Sequence, residues 1–178
     1  MTIGEEFLNQ SRKVFRSQKD LADKAIAQLS DKDLLWQPDP ETNSIAINMK
    51  HLAGNMISRW TDFLTTDGEK PDRNRDGEFI ISENDIKGLH DYWERGYSVF
   101  FKTLDSLTED DLLKTITIRS EPHSVIQAIQ RQISHYGYHV GQIVGLAKQI
   151  RVSEWKTLTI PRGKSEEYLA TKFVPPKA

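Results

Sequence analysis

His135 and His139, four residues apart, are the pair whose type and spacing most directly suggest chemistry. In a helix that interval puts both imidazoles on one side, about one turn apart, where they can share a metal ion. Both fall just beside the apolar stripe of their segment, near Gln132 and Gln142, where a core gives way to a cleft. Any helix with two histidines has a fair chance of this interval, so the open alternative is one hydrogen-bonded ring at the core edge and one solvated ring. The H-E-x-x-H metalloprotease pattern is excluded, because Tyr136 stands where the glutamate base would be. The sequence has no cysteine, which removes disulfides, thiolate nucleophiles and Cys-based zinc or iron–sulfur sites; a metal must use His, Asp or Glu.

His51 lies on another helical segment, about 150° around from the stripe of Met49, Leu52 and Met56, on a face with Asn48, Asn55, Ser58 and Asp62. Taken alone it looks solvent-facing. If its helix is enclosed on both sides, the polar face lines a pocket instead. A third imidazole would complete three nitrogen donors and leave coordination positions open, as catalytic sites require. His90, among Lys87, Asp91 and Glu94, reads as surface, and His123 after Pro122 sits at a helix start, where positive charge is poorly placed. Neither is assigned to the metal. Asp62, Asp91 and Glu94 can face a cleft or simply be solvated, so no general base is nameable. Arg73 and Arg75 can meet an anionic ligand or sit on a solvated loop tip.

Four long amphipathic segments must position these residues. Thr2 caps a first helix over residues 3 to 29, and Ser30 with Asp33 opens a short turn carrying Trp36 before Pro38 and Pro40. Ser44 caps a second helix ending near Thr65, followed by a charged, turn-rich loop from Thr66 to Gly77 that is expected to be solvated. Ser82 and Asp85 open a third helix running to about Leu107, and Thr108 to Leu113 echoes the earlier Ser30 to Leu35 turn. Thr115 to Arg119 is a short extended piece that implies no sheet of any size, and a fourth helix runs from about Pro122 to Ile150. The spacings of Trp60, Trp93, Tyr97, Phe100 and Phe101 suit core packing, with a share available to a subunit interface. The expected fold is all-α, an antiparallel four-helix bundle with short extra turns, in one domain spanning 1–178. Its 152–178 extension packs on the bundle, with a helical turn near Ser165 to Ala170 and a frayed Pro175-Pro176 end.

At 178 residues, 37% of them hydrophobic, one core needs no staples. The net charge of −2 makes no field that gathers nucleic acid or anionic lipid, so neither is an expected partner. The acidic start after Met1 has no signal-peptide pattern, and apolar runs fall below the ~20 residues that cross a bilayer. A soluble, cytoplasmic protein is expected.

The stretch Asn43 to Asn55, then Ser58-Arg59-Trp60-Thr61-Asp62-Phe63 and Thr65 to Pro71, with the Trp36 turn and the HYGYH element at 135–139, resembles the DinB/YfiT-like superfamily. More narrowly it is similar to a branch of that superfamily described as a domain of unknown function, and the likeness covers nearly the whole chain. The resemblance implies a four-helix bundle, frequently a homodimer, with a metal held by His51, His135 and His139. Metals in the superfamily include zinc and nickel, and three neutral imidazoles suit either. Some characterised members are transferases or isomerases using low-molecular-weight thiols such as bacillithiol or mycothiol; others are labelled hydrolases. One departure is Asp72 after Pro71, where relatives often carry Trp, which bears on substrate preference if that loop forms the rim.

Two functions follow as expectations. The first is a metal-dependent enzyme acting on a small molecule, its divalent ion lowering the pKa of a thiol or water, for S-transfer or hydrolysis respectively. The second is a non-catalytic dimeric bundle with a structural or vestigial metal that binds a protein partner. A fourth protein ligand, such as Asp62 or Glu94, would favour the second reading; an open position would favour the first.

Overall fold

The computed structural model describes residues 1–172. The Pro175-Pro176 end lies outside the described residues. Within them the chain is mostly helical, with five α-helices and one two-stranded sheet. No described helix is long and apolar enough to cross a membrane.

Helix α1, Ile3–Ile26, starts at Thr2, whose hydroxyl accepts the Glu5 N–H at 3.1 Å while Glu5 accepts the Thr2 N–H at 2.8 Å. It ends earlier than its stripe suggests. The Leu29 N–H donates to Ile26 at 2.9 Å in a tightened last turn, and Ser30 then commits to Asp33. Helix α2, Ile45–Trp60, begins at Ser44 and stops five residues short of the expected Thr65. There Asp62 adopts φ 48°, and its carbonyl accepts the Thr65 and Thr66 N–H groups, both at 3.0 Å, which folds the chain back. Helix α3, Ile86–Ser106, follows the expected Ser82 and Asp85 capping box, and buries Leu89, Trp93, Tyr97, Phe100 and Leu104.

Pro122 and His123 do not start the fourth helix. They lie in a hairpin whose strands β1, Thr115–Ile118, and β2, Glu121–Ser124, pair antiparallel with Ile118 opposite Glu121. Pro122 is tolerated because the ribbon has only two strands, and Ile116 and Ile118 insert into the core. The two-residue turn, Arg119-Ser120, has φ of 55° and 63°, the primed-turn geometry usually built from Asn-Gly. Here Asp67 accepts both turn amides, at 2.8 and 2.7 Å, and so holds the strained pair in place.

Helix α4, Val125–Arg151, is launched by a capping box between Ser124 and Gln127. The four long helices enclose one core, α2 packing mainly on α3 and α1 mainly on α4, with α2 also against α4. Beyond α4, Trp155 and Leu158 pack on that core, and Gln28 fastens this segment through its Nε2 to the Lys156 carbonyl and its Oε1 from the Lys156 N–H. Helix α5, Ser165–Lys172, is exposed along its length.

Candidate metal centre

Almost all of α2 is buried, its polar face included, so the enclosed alternative for His51 holds. His51 is 5% exposed and faces His135 and His139 across the α2–α4 contact. One nitrogen from each of the three rings lies within 4.8 Å of the other two. The Nε2 atoms of His51 and His135 are 3.2 Å apart. That is close to the edge of about 3.3 Å for two nitrogens on a tetrahedral ion at roughly 2.0–2.1 Å from each.

Two rings are oriented by partners that fix their tautomers. Glu78, 5% exposed, receives Arg73 Nε on Oε1 at 2.7 Å and Arg73 Nη2 on Oε2 at 2.8 Å. Its Oε2 also accepts from His51 Nδ1 at 2.8 Å. An ionised carboxylate can only accept, so His51 carries its proton on Nδ1 and turns a bare Nε2 toward the other rings. Asn48 donates its amide nitrogen to the Ser44 carbonyl at 2.9 Å and to that of Asn43 at 3.3 Å. Its Oδ1 is therefore the acceptor for His139 Nδ1 at 2.7 Å, leaving the His139 Nε2 bare. Phe79 covers the outer side of His51, ring centroids 4.8 Å apart.

The electrostatics keep His135 and His139 neutral and the supporting Glu78 charged. Burial, then the charges of His139 and His51, lower the His135 pKa to about 3. Burial and His51 lower that of His139 to about 4. Both rings are thus free of a second proton at neutral pH, the state that ligates metal. Burial works against the Glu78 carboxylate, but hydrogen bonds from His51 and Arg73 outweigh it and hold the group below its ordinary value. The charged pair needs Gly54, because a Cβ there would collide with the Glu78 carboxylate where it lies against α2.

A second polar chain runs beside the rings. Trp60 Nε1 donates to the Tyr136 hydroxyl at 3.1 Å, and that hydroxyl donates to Asn55 Oδ1 at 3.2 Å. Gln132 Nε2 donates to the same oxygen at 2.7 Å. Burial pushes the Tyr136 phenol up to about 12, so it stays protonated and holds this chain rather than exchanging protons. Asn55 and Gln132 border a cavity of about 380 Å³ that His51 and His135 also line.

Other candidates lie elsewhere. His90 is exposed beside Asp31, and His123 lies in the hairpin near Glu121. Asp62 is exposed, and Glu94 pairs with Lys19 at 2.8 Å. Neither joins the three rings, so no fourth protein ligand is present among the described residues. Arg73, expected on a solvated loop, has a side chain only 4% exposed. Sequence reasoning missed Glu78, Asn48 as a partner, and Arg59, which is buried at the end of α2. The available signal was the polar face Asn48, His51, Asn55, Ser58 on an otherwise apolar helix. The donor set fits a divalent ion: three imidazoles, two with bare Nε2 atoms held by buried partners.

A family model described as "Protein of unknown function (DUF1572)" matches residues 2–164. No curated protein and no solved structure matches the chain.

Proposed function

Since the chain belongs to the DUF1572 family of proteins of unknown function, we propose its chemistry from the site: a metal-dependent enzyme acting on a small molecule. The observation that carries this reading is the meeting of His51 with His135 and His139 without a fourth protein ligand among the described residues. A structural ion usually takes four ligands from protein, whereas an open position admits a reactant. His51, His135 and His139 would hold the ion, zinc or nickel, and bound there it would supply Lewis acidity that lowers the pKa of a thiol or water. Glu78 and Asn48 keep the ligand nitrogens bare, Phe79 limits water at His51, and Asn55 can donate its Nδ2 into the cavity.

Within this reading the fold is an antiparallel four-helix bundle of DinB/YfiT-like type, in a single domain, working in the cytoplasm as a homodimer. The preferred activity is S-transfer with a low-molecular-weight thiol such as bacillithiol, with hydrolysis as the second chemistry. A chain without cysteine has to take its thiol from such a diffusible cofactor.

Metal analysis of the purified protein beside His135→Ala tests the site. Wild type should retain a divalent ion and the variant should lose it; equal content in both would overturn the assignment. A thiol-transfer screen against electrophiles, with and without several cellular thiols, then separates transfer from hydrolysis. Chelation should abolish turnover yet leave the helical circular dichroism intact, because the four long amphipathic helices share an extensive apolar core that holds without the ion. Collapse of the helical signal on chelation would instead mark a structural ion.

A further inference from the structure

Arg59 is 2% exposed, and its Nε and Nη1 are buried with no hydrogen-bond partner among the described residues. A guanidinium keeps its charge in a protein, and a buried charge without a partner is strongly unfavourable. The backbone has nonetheless closed on it. Gly68 lies so near that a Cβ there would stand 3.0 Å from Arg59 Cδ. Ser58 locks that approach by donating to the Gly68 carbonyl at 3.2 Å and accepting the Lys70 N–H at 3.0 Å.

The carboxylates nearby are already taken. Glu78 is held by Arg73 and His51, and Glu69 is shared between Arg73 and Arg119, each at 3.2 Å. Arg59, Arg75 and Arg131 all line the 380 Å³ cavity, and none of them is in a salt bridge among the described residues. Asn55 adds a donor of the right kind, since its Oδ1 is occupied by Gln132 and Tyr136 and only its Nδ2 remains. An excess of cationic donors thus surrounds a space bordered also by His51 and His135.

We propose that this cavity is an oxyanion subsite, in which Arg59, with Arg131 and Arg75, holds a carboxylate, phosphoryl or sulfonyl group of the molecule that reacts at the three histidines. Its anion binding stands on the cavity alone; its role as a substrate handle rests on the metal-dependent reading. The Arg59 guanidinium, unpartnered at Nε and Nη1, borders the cavity together with Arg75 and Arg131, so an anion placed there meets charged donors from three side chains. Held there, the anion directs the rest of the molecule along the cavity toward the rings.

The test is thermal unfolding and calorimetric titration of the full chain with inorganic phosphate, sulfate and succinate, against chloride at equal ionic strength. At least one oxyanion should raise the melting temperature of wild type where chloride does not. Tighter phosphate or sulfate binding assigns a phosphoryl or sulfonyl group, and tighter succinate binding a carboxylate. Arg59→Met should melt no lower than wild type without anion, keep its metal, and bind the anion at least about thirtyfold more weakly. Arg131→Ala, on an exposed position, should fold normally and weaken binding about fivefold or more. His135→Ala should lose metal but keep the anion response, which separates this proposal from the metal site. No oxyanion effect on wild type, or unchanged affinity in Arg131→Ala or in a folded Arg59→Met, overturns the subsite.

Discussion

Glu78→Ala should lower the stability of the metal-free protein by about 3–5 kcal/mol, because it strands a buried guanidinium. Arg73 then keeps only Glu69, at 3.2 and 3.3 Å, a carboxylate it already shares with Arg119. For a chain of this size the loss corresponds to a melting temperature lower by on the order of 10 °C. The same change removes the acceptor of His51 Nδ1–H, so the ring can turn or adopt the other tautomer. Loss of such a partner typically weakens metal binding by about 10–100-fold. Glu78→Gln separates the two effects. Its amide oxygen can still accept from His51, but its NH2 group then opposes Arg73, so stability should fall while metal affinity largely survives. Melting curves and a competitive chelator titration on both variants check this. A Glu78→Ala protein melting within about 2 °C of wild type, with unchanged metal affinity, would show that the pair supports neither fold nor site.

The second large effect is acid destabilisation of the metal-free protein. His135 and His139 titrate at about 3 and about 4 in the folded chain, against 6.5 as the ordinary value. Below pH 6.5 the unfolded chain therefore holds more protons than the folded one. The contribution is complete above that pH and is lost as pH falls through the two folded values. Each ring can add a slope of about 1.4 kcal/mol per pH unit inside its window. Glu78, held below its usual range, acts in the same direction at the acid end. Urea unfolding of chelator-treated protein between pH 7 and 4 should show stability dropping continuously, with the midpoint falling fastest below about pH 6. His139→Ala should flatten the curve, even if it starts lower. A flat profile from pH 7 to 5 in wild type would mean the rings are not shielded from solvent as described.

How far the sequence carried the structure depends on the range of the interactions concerned. The capped starts at Thr2, Ser44 and Ser82 are local signals and are found in the structure. The i, i+4 interval of His135 and His139 is local as well, and it holds within α4. The hairpin was not legible, because Arg119-Ser120 is a poor primed turn until Asp67, 52 residues away, accepts its amides. Helix α2 stops short of its apolar stripe, which continues to Phe63, because Thr61 turns extended and Asp62 takes a left-handed conformation, which Asp tolerates better than most residues but which no neighbouring residue type announces. Glu78 was invisible for a related reason. It looks like one more loop charge until Gly54 admits it to α2 and Arg73, five residues before it, turns inward. His51 shows both sides of the matter, since periodicity placed it correctly on the polar face while only tertiary packing could enclose that face.

The loop between α2 and α3 is moored at both ends. Asp67 receives the amides of Glu69, Arg119 and Ser120, which against burial hold its carboxyl at about 2, and Glu78 is clamped between His51 and Arg73. Apart from Arg73, residues 71–76 are exposed between these moorings. That span can act as an exchangeable cassette: closing a somewhat longer loop between fixed ends costs only fractions of a kcal/mol per added residue, about 0.6 per doubling of length. Variation confined to it could reshape what the cavity admits while the imidazole cluster keeps its geometry.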